Sequence, residues 1–495
     1  MALPVVVHGH FYQPPREDPR TKRIEVQPSA APFPDWNERV HAECYRPNTR
    51  ASILAADGEQ VVNNLERMSF NFGPTLMSWL ERVHPSTYEL VVAADRSSMD
   101  AHGHGNALAQ AFHHTILPLS DARDIRTQVR WGAADFGYRF GRRPEGMWLP
   151  ETAASETVLD ILIEEMIDFT ILAPSQAGEW RAPGGAWASV QDEPIDVRVP
   201  HLYSHRDGSG RTLAIFFYDG PLARSIAFEN LMSSAESFIG AFASRGDGHD
   251  RLVHAATDGE TFGHHHKFGD IGLAYALFVE AERRGVCTTN YACFLESHRP
   301  EREVRLVGGR GSSWSCAHGV ERWYRDCGCS TGGEHGWNQG WREPLRGALD
   351  IVRRTADETF ERLGAALFAD PWGTRDRYVE VVVGEKSMQD FLAREGSRPL
   401  SRDEAGLGAT LLEMQEASLS MYTSCGWFFS DIGGIETVQV MRYAALVIEL
   451  LEALGQPSPE RDYMMKLEEA KSNDPTLGTG ADIHATLVAG RWSSH

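Results

Sequence analysis

The stretch GMWLPETAASETVLDILIEEMIDFTILA, residues 146–173, contains the pattern that decides the fold. A short apolar run over 146–150 is followed by an amphipathic helical pattern over 155–166 and a strand-like run over 169–173. Apolar runs that alternate with helical segments are typical of parallel sheets with crossover helices. The stretch therefore predicts one β-α-β unit of an α/β domain.

The same alternation continues through the first 300 residues. Further strand-like runs cover residues 3–8, 68–72, 213–218 and 252–257. Polar residues end or follow these runs and the run over 146–150, at His8, His10, Glu151, Asp258 and Glu260. In parallel α/β folds, catalytic residues lie just past the carboxyl ends of the strands. We therefore predict a parallel sheet, open or closed, whose carboxyl edge carries the functional site.

The composition changes beyond residue 300. Gly, Trp and Cys are frequent over 301–344, which shows little periodicity, and long ordered loops in compact domains are usually functional. Apolar residues then recur at helical spacing, in segments that cover residues 345–368, 376–394, 403–421, 437–454 and 459–471. We predict a catalytic α/β domain over 1–300, a loop region flanking the active site over 301–344 and a helical domain over 345–495.

Charge and composition limit the possible partners. The chain has a formal net charge of −21, which repels phosphate backbones and anionic lipids and so disfavours nucleic-acid and membrane binding. A neutral substrate fits this charge better. The N-terminus lacks a signal-peptide pattern, and seven scattered cysteines do not indicate a disulfide framework. We expect a cytoplasmic protein without a cofactor, and nothing in the sequence indicates its oligomeric state.

Titratable side chains are densest over residues 258–270. This segment contains Asp258, Glu260, His264, His265, His266, Lys267 and Asp270, together with three glycines. Buried carboxylates and imidazoles at such a density shift one another's pKa, as an acid/base site requires. The segment is therefore predicted to be catalytic rather than part of a solvated surface.

Glu151 and Asp258 follow different strand-like runs, and two such carboxylates suit glycoside cleavage. One attacks the anomeric carbon, while the other protonates the leaving oxygen and then activates water or an acceptor sugar. A separation of about 5–5.5 Å gives retention of the anomeric configuration, and about 6.5–9.5 Å gives inversion. The sequence does not fix this distance.

Four segments, in order, resemble the motifs of glycoside hydrolase family 57. They are HGHFYQP at 8–14, the stretch 105–119 with its His-Thr-Ile-Leu-Pro, MWLPE at 147–151 and TDGETFGH at 257–264. The third and fourth motifs are the specific ones, and the similarity covers about residues 1–320. Further downstream, 314–323 and 422–429 resemble a bacterial subgroup with its own C-terminal domain.

The resemblance implies a distorted seven-stranded (β/α) barrel followed by a mainly α-helical C-terminal domain. It implies that Glu151 is the nucleophile and Asp258 the acid/base of a retaining mechanism. The substrates implied are α-1,4- or α-1,6-linked glucans, cleaved or transferred without a metal. His10 and His114 would then line the subsite that holds the sugar next to the cleaved bond.

Further substrate-binding residues are predicted in and near these motifs. Several are aromatic, because flat apolar sugar faces stack on aromatic rings. The predicted set is His10, Gln13, His114, Trp148, Glu260, His264, Trp314, His318 and Trp427. Hydrolysis, glucan transfer and branching differ in the acceptor, and the sequence leaves these three open.

The sequence also leaves two alternatives of another class. The first is a metal-dependent carbohydrate hydrolase or deacetylase, with a divalent metal on His8, His10, Asp258 and the histidines at 264–266. The second is a non-catalytic glucan-binding protein. Separately, a zinc site could use Cys316, His318, Cys327 and Cys329, but their spacing lacks the paired C-x₂-C form, and we predict no metal.

Overall fold

The structure, a computed structural model, describes residues 2–55, 58–229 and 231–489. Met1 of the predicted catalytic domain and residues 490–495 of the predicted helical domain lie outside the described residues. The backbone divides into two compact units that are interleaved along the chain. Unit 1 contains the described residues of 1–13, 26–111 and 139–314, and unit 2 those of 14–25, 112–138 and 315–495.

The strands that the structure describes all belong to unit 1. They are β1 (Leu3–Phe11), β2 (Ala51–Ala55), β3 (Gly58–Val62), β4 (Ser69–Phe72), β5 (Ala109–Gln110), β6 (Gly146–Trp148), β7 (Phe169–Leu172), β8 (Ala177–Arg181), β9 (Ala188–Ser189), β10 (His201–Ser204), β11 (Thr212–Phe217), β12 (Val253–Asp258), β13 (Val286–Thr288) and β14 (Arg302–Leu306).

Strand β1 is the centre of a four-stranded sheet in which every pairing is parallel. It pairs with β12 in a register that sets His10 opposite Asp258, with β13 near its start and with β4 near its end. Val5, Val6 and Val7 are all buried. Consecutive buried residues are expected for a parallel strand that is covered on both faces.

A second sheet contains eight strands in the order β5-β6-β7-β11-β10-β14-β8-β9. The first four run parallel to one another, and the others form mixed pairs. Two contacts link this sheet to the first. Phe70 of β4 forms a parallel bridge with Ala107, just before β5, and the Asp219 amide, just after β11, donates to the His254 carbonyl of β12 at 3.0 Å.

Helices connect the strands of unit 1 and form the body of unit 2. Within the described residues the α-helices are α1 (Trp36–Val40), α2 (Arg46–Thr49), α3 (Pro74–Val83), α4 (Pro85–His102), α5 (Ala122–Phe140), α6 (Glu156–Glu164), α7 (Gly220–Phe228), α8 (Ala235–Ala243), α9 (Gly269–Tyr275), α10 (Ala281–Arg283), α11 (Tyr291–Ser297), α12 (Arg342–Gly364), α13 (Pro371–Arg377), α14 (Val379–Val382), α15 (Met388–Glu395), α16 (Arg402–Ser420), α17 (Cys425–Phe428), α18 (Ile435–Ala453), α19 (Glu460–Leu467) and α20 (Gly480–Ile483). A π-helical turn, His41–Tyr45, joins α1 to α2.

The β-α-β unit predicted from residues 146–173 is present as β6, α6 and β7. The two strands pair in parallel, and the helix begins where the Ser155 hydroxyl accepts a hydrogen bond from the Val158 amide. Such a side-chain cap satisfies an amide that the first turn of a helix leaves unpaired. Local sequence signals therefore determine this part of unit 1.

Unit 2 is built around α12, α16, α18 and α19, with α16 packed on α12 and α18, and α19 packed on α12. The single helix predicted over 376–394 is wrong, because the segment forms parts of three short helices, α13, α14 and α15. Gly384 follows α14 with φ +79°, and a left-handed residue of this kind ends a helix.

The predicted fold class is thus confirmed as an α/β fold with a helical C-terminal region. The predicted division at residues 300 and 344 stays a prediction about domains. Among the described residues, no helix has both the length and the apolar character that crossing a bilayer requires.

Within unit 2, a buried ion pair joins α5 to α13. Arg375 and Asp124 are buried, and Arg375 Nη1 lies 2.8 Å from Asp124 Oδ1, in an ion pair that lacks hydrogen-bond geometry. The guanidinium also donates to Gln415 and to Thr127. We predict that Arg375→Leu lowers the free energy of unfolding by about 3 kcal/mol, the lower end for a broken buried pair. The lower end applies because Arg353 also lies 3.5 Å from Asp124.

Urea unfolding followed by circular dichroism measures this change. The matched control is Arg398→Leu, which breaks an ion pair with Glu404 on the surface of the same unit and should change the stability little. Equal effects of the two substitutions would contradict the structural role of Arg375.

Candidate active site

Glu151 lies on a strained turn directly after β6. Leu149 and Pro150 follow the strand, and then Glu151 and Thr152 take φ values of 57° and 50°. Two successive non-glycine residues in the left-handed region are unusual, and a β-branched threonine there is strained. The fully buried Gln176 holds the turn, because its amide donates to the Thr152 carbonyl and accepts from the Thr152 hydroxyl, both at 2.8 Å. These hydrogen bonds hold the backbone turn that carries Glu151.

Trp314 contacts Glu151 through both its backbone and its side chain. Its amide donates to the Glu151 carbonyl at 3.1 Å, and its indole Nε1–H donates to Glu151 Oε2 at 3.0 Å. A hydrogen bond to an ionised acceptor is stronger than one between neutral groups. The indole therefore both orients the carboxylate and stabilises its charged form.

Asp258 ends β12, and in the sheet register it stands opposite His10. Its side chain is reached by solvent, unlike those of the five strand residues before it, yet protein surrounds it closely. Desolvation, together with the negative charges of Glu260 and Glu151, raises the pKa of Asp258 to about 8. A carboxyl group can be both accessible and desolvated at the floor of a concave site. Asp258 is therefore mostly protonated at neutral pH.

Glu260, two residues further on, is buried in a hydrogen-bonded network. Its Oε1 accepts from the Tyr45 hydroxyl at 2.6 Å and from the Tyr12 amide at 3.2 Å. Gln13 in turn donates from Nε2 to the Tyr45 oxygen at 3.1 Å. Burial raises the pKa of Glu260 to about 7, and these hydrogen bonds oppose the rise. Both predicted substrate-binding residues, Gln13 and Glu260, thus have protein partners in this network.

His8 and His10 share a bridging amide from the neighbouring strand β4. Asn71 accepts from His8 Nε2 at 3.1 Å and donates to His10 Nδ1 at 2.9 Å. Burial lowers the pKa of each imidazole to about 3, so both rings are neutral. Because Nδ1 of His10 accepts the amide proton, the ring carries its own proton on Nε2.

Trp148 supports this pair of histidines from β6. Its indole is fully buried and stacks on His8 and on His10, with ring centroids 4.8 Å and 5.1 Å apart. It also meets Trp314 edge-on at 5.1 Å. The structure thus brings together the predicted residues His10, Trp148 and Trp314. The predicted residue His264 pairs with Glu43.

Three predicted substrate-binding residues belong to unit 2. The His114 ring shares a hydrogen bond with the Ser424 hydroxyl at 2.7 Å, and His114 has a φ of 54°. Trp427 is fully buried and donates from Nε1 to the Arg342 carbonyl, which fits a packing role in this unit. His318 faces Cys329, with Nδ1 3.5 Å from Sγ. The roles of these three residues in sugar binding stay predictions.

Sequence reasoning missed several polar residues of the site. They are Tyr12, Tyr45 and Asn71, together with Gln110, which accepts from the Asn71 amide, and Tyr218, whose ring meets Trp314 edge-on. Asn71 could have been found from the sequence, since a polar residue within a buried apolar strand indicates a hydrogen-bonded position. Tyr45 had none, because only the tertiary fold brings its π-helical turn next to Glu260.

His8, one of the histidines that the metal alternative requires, has no ring nitrogen left to bind a metal. Both ring nitrogens of His8 are hydrogen bonded, to Ser69 and to Asn71. In the part of the chain that the structure describes, the groups of close potential metal ligands are Glu38, His41 and His84, and Cys316, His318, Cys327 and Cys329. Neither group includes His8, His10 or Asp258, so the geometry does not favour a metal at this site.

The raised pKa of Asp258 predicts a pH-dependent cost to stability. The folded chain holds this proton up to about pH 8, whereas the unfolded chain releases it near the ordinary value of 3.8. Native protein thus binds more protons between these values, so the contribution of Asp258 to stability falls as the pH rises through this window. Asp258→Asn removes the titration, and its melting temperature relative to wild type should rise from pH 4 to pH 8.

Thermal melts across this range, with the exposed Asp192→Asn as control, measure the difference. A difference for Asp258→Asn that is constant with pH, or that shrinks as the pH rises, would show that this carboxyl has no raised pKa.

Known proteins resemble both parts of the chain. The family model described as glycosyl hydrolase family 57 matches residues 29–306, and a domain of unknown function (DUF3536) matches residues 337–494. An α-amylase of Dictyoglomus thermophilum is 26% identical over 106 residues, which is 21% of this chain and only 15% of that relative's length.

Two solved structures share the fold over almost their whole length. An exo-type maltose-forming amylase from Pyrococcus sp. ST04 has a TM-score of 0.74 at 15% identity, over 100% of this chain and 93% of its own. A branching enzyme from Pyrococcus horikoshii has a TM-score of 0.53 at 16% identity, over 96% and 95% of the two chains. Because the first family model covers more than half of the residues, this chain belongs to glycosyl hydrolase family 57.

Proposed function

We propose that the chain is a retaining glycoside hydrolase or transglycosylase that acts on α-linked glucans. Glu151 is the nucleophile and Asp258 the acid/base. The observation that carries the proposal is the opposite environment of the two carboxylates. Trp314 donates a hydrogen bond to Glu151, which favours the charge that a nucleophile needs, whereas desolvation and neighbouring charges keep Asp258 protonated to about pH 8. Pairs of carboxyls whose environments differ in this way divide the acid and nucleophile roles.

In the first step the Glu151 carboxylate attacks the anomeric carbon from one side. The bond from that carbon to the glycosidic oxygen breaks, its electron pair goes to the oxygen, and Asp258 donates its proton there. A neutral glycosyl ester on Glu151 and an ionised Asp258 remain. The chemistry requires no metal and no oxidant.

In the second step Asp258 acts as a base instead of an acid, and Glu151 becomes the leaving group. The charge of Glu151 is one cause of the raised pKa of Asp258, and the ester carries no charge, so the pKa of Asp258 falls once the intermediate has formed. Asp258 then removes a proton from water or from a sugar hydroxyl, whose oxygen attacks the anomeric carbon and releases Glu151. Two inversions give net retention of configuration.

A closed barrel would bring these strand ends together. We propose that β1, β4, β5, β6, β7, β11 and β12 form the seven-stranded barrel that the family resemblance implies. The bridge from Phe70 to Ala107 and the hydrogen bond from Asp219 to His254 support closure on both sides of the four-stranded sheet. His10, Glu151 and Asp258 would then all lie at the carboxyl end of the barrel, where such folds carry their active sites.

Support for α-glucans as substrates comes from charge and from the relatives. A net charge of −21 suits a neutral polysaccharide better than an anionic polymer. The relatives described above are amylases and a branching enzyme, so hydrolysis and transfer are both candidate outcomes. The cytoplasmic location stays a prediction from the sequence.

Product analysis on maltooligosaccharides, amylose and glycogen tests the proposal. We predict that wild type gives shorter, longer or branched α-glucans with retained anomeric configuration, seen by NMR immediately after cleavage. Glu151→Gln should lower turnover by at least about 10³-fold, because a nearly isosteric amide cannot act as the nucleophile. Asp258→Asn should lose a similar factor on these glucans but keep more activity on substrates with good leaving groups, which need no acid.

Glu156→Gln, five residues from the nucleophile and on α6, provides the matched control and should keep wild-type turnover. Inverted products, or full activity in Glu151→Gln, would contradict the mechanism. Folded wild type that changes no α-glucan would contradict the substrate class.

The hydrogen bond from Trp314 to Glu151 leads to a separate prediction about kcat. Trp314→Phe keeps an aromatic ring but removes the donor to Glu151, and kcat should fall about 10–100-fold, as for a lost hydrogen bond to a charged group. The control Trp180→Phe removes an indole donor to the Glu193 carbonyl in the same unit and should leave kcat within about twofold. If Trp314→Phe also kept wild-type kcat, the indole would not assist the nucleophile.

A further inference from the structure

The three cysteines and one histidine of the loop before α12 converge in the folded chain. The ligand atoms of Cys316, His318, Cys327 and Cys329 all lie within 4.8 Å of one another. Cys316 is buried, the other two cysteines are half-buried and His318 is exposed. The sequence suggested these four residues as possible ligands, but their spacing lacks the paired C-x₂-C form and so favoured no metal.

The distances within this group match the edges of a tetrahedron around zinc. Zn–S bonds of about 2.3 Å and Zn–N bonds of about 2.0–2.1 Å at the tetrahedral angle place two sulfurs about 3.8 Å apart, and a sulfur about 3.5 Å from a nitrogen. Cys316 Sγ and Cys327 Sγ are 3.8 Å apart. Cys329 Sγ and His318 Nδ1 are 3.5 Å apart. These two distances are opposite edges of the tetrahedron, and both have the length that zinc ligation requires.

The sulfur atoms are too far apart for a disulfide bond. A disulfide joins its sulfurs at about 2.05 Å, and Cys316, Cys327 and Cys329 are all free thiols in the structure. Three thiols and an imidazole at these distances form a ligand set typical of structural zinc sites.

The backbone of the loop is shaped around these side chains. Between β14 and α12 the described residues contain no regular element except a short 3₁₀ turn, Glu321–Trp323. Gly328, between Cys327 and Cys329, has φ +79°, a conformation that other residues rarely adopt. Its amide is capped by Asp326 Oδ1 at 2.9 Å.

Two buried guanidinium groups flank the cysteines. Arg342 Nη1 donates to the Cys329 carbonyl at 2.8 Å, and Arg322 Nη2 donates to the next carbonyl, that of Ser330, at 3.3 Å. Within the described structure, Arg322 Nε and Arg342 Nε and Nη2 are buried without a hydrogen-bond partner. Buried cations require a nearby negative charge, and a zinc ion with three thiolates and a neutral imidazole has a net charge of −1.

We propose that Cys316, His318, Cys327 and Cys329 bind a structural zinc ion in tetrahedral geometry. All four positions are taken by protein ligands, so the site has no open position for a substrate or an activated water. The zinc ion ties the two ends of the 316–329 segment together in a loop that has little other regular structure. His318 is then a metal ligand rather than a sugar-binding residue.

The site also organises neighbours in unit 2. Trp323 lies between the ligands in sequence, is fully buried and donates from Nε1 to the Ser424 carbonyl at 3.2 Å. Ser424 in turn contacts the His114 ring. Zinc therefore fixes the segment that holds Ser424 and His114, and this inference does not depend on the proposed function.

Metal analysis of the full chain, purified in reductant without chelator, tests the proposal. We expect about one zinc per chain. After removal of zinc by chelator, Co²⁺ should restore one equivalent and give the visible bands of a tetrahedral thiolate site. Removal of the metal should lower the melting temperature. Zinc below about 0.1 per chain together with no tetrahedral cobalt spectrum would overturn the proposal, as would stoichiometric iron or copper.

Substitutions of the proposed ligands test which residues bind the zinc ion. Cys316→Ser and Cys329→Ser should each weaken zinc binding by more than about 100-fold, since losing even an outer partner of a metal ligand commonly costs about 10–100-fold. His318→Cys supplies a fourth thiolate and should still bind one zinc. Retained zinc in this variant would show that a substitution in the loop does not by itself abolish binding. Cys287→Ser, an exposed cysteine of β13, is the matched control. Full zinc in both serine variants would place the metal elsewhere.

Discussion

Glu151 and Asp258 come from strands that are not neighbours in a sheet, and the charge of one raises the cost of ionising the other. This repulsion adds to desolvation and keeps a proton on Asp258 up to about pH 8. Such an arrangement destabilises the charged site, so the surrounding structure must enforce it. The buried pairing of β1 with β12 holds Asp258, while Gln176 and Trp314 hold the left-handed turn of Glu151. These residues of unit 1 therefore hold the two carboxylates in position.

Local sequence signals predicted the α/β class, the helical C-terminal region and the strand-end positions of Glu151 and Asp258. These features depend on apolar periodicity and on residues that end strands, which neighbours in sequence determine. The β-α-β unit at 146–173 illustrates the point, because its helix cap and both strands are encoded within 28 residues. By contrast, the prediction of one helix over 376–394 was wrong, because the chain takes a left-handed conformation at Gly384.

Features that depend on distant contacts could not be predicted from a single sequence. Residues 14–25 and 112–138 belong to unit 2 although the chain around them belongs to unit 1. Tyr45 meets Glu260 across 215 positions of sequence. The four potential zinc ligands could be named from the sequence, but their spacing did not favour a site, and the folded loop brings their ligand atoms within 4.8 Å of one another.

The most direct test of the central claim identifies the side chain that forms the covalent intermediate. A 5-fluoro α-glucosyl fluoride reacts at the nucleophile, and its fluorine slows release of the sugar, so the glycosyl-enzyme accumulates. Proteolysis and mass spectrometry then locate the added sugar. The account predicts the label on the peptide that contains Glu151. A label on Asp258 or Glu260, or α-glucan turnover without any label on Glu151, would contradict it.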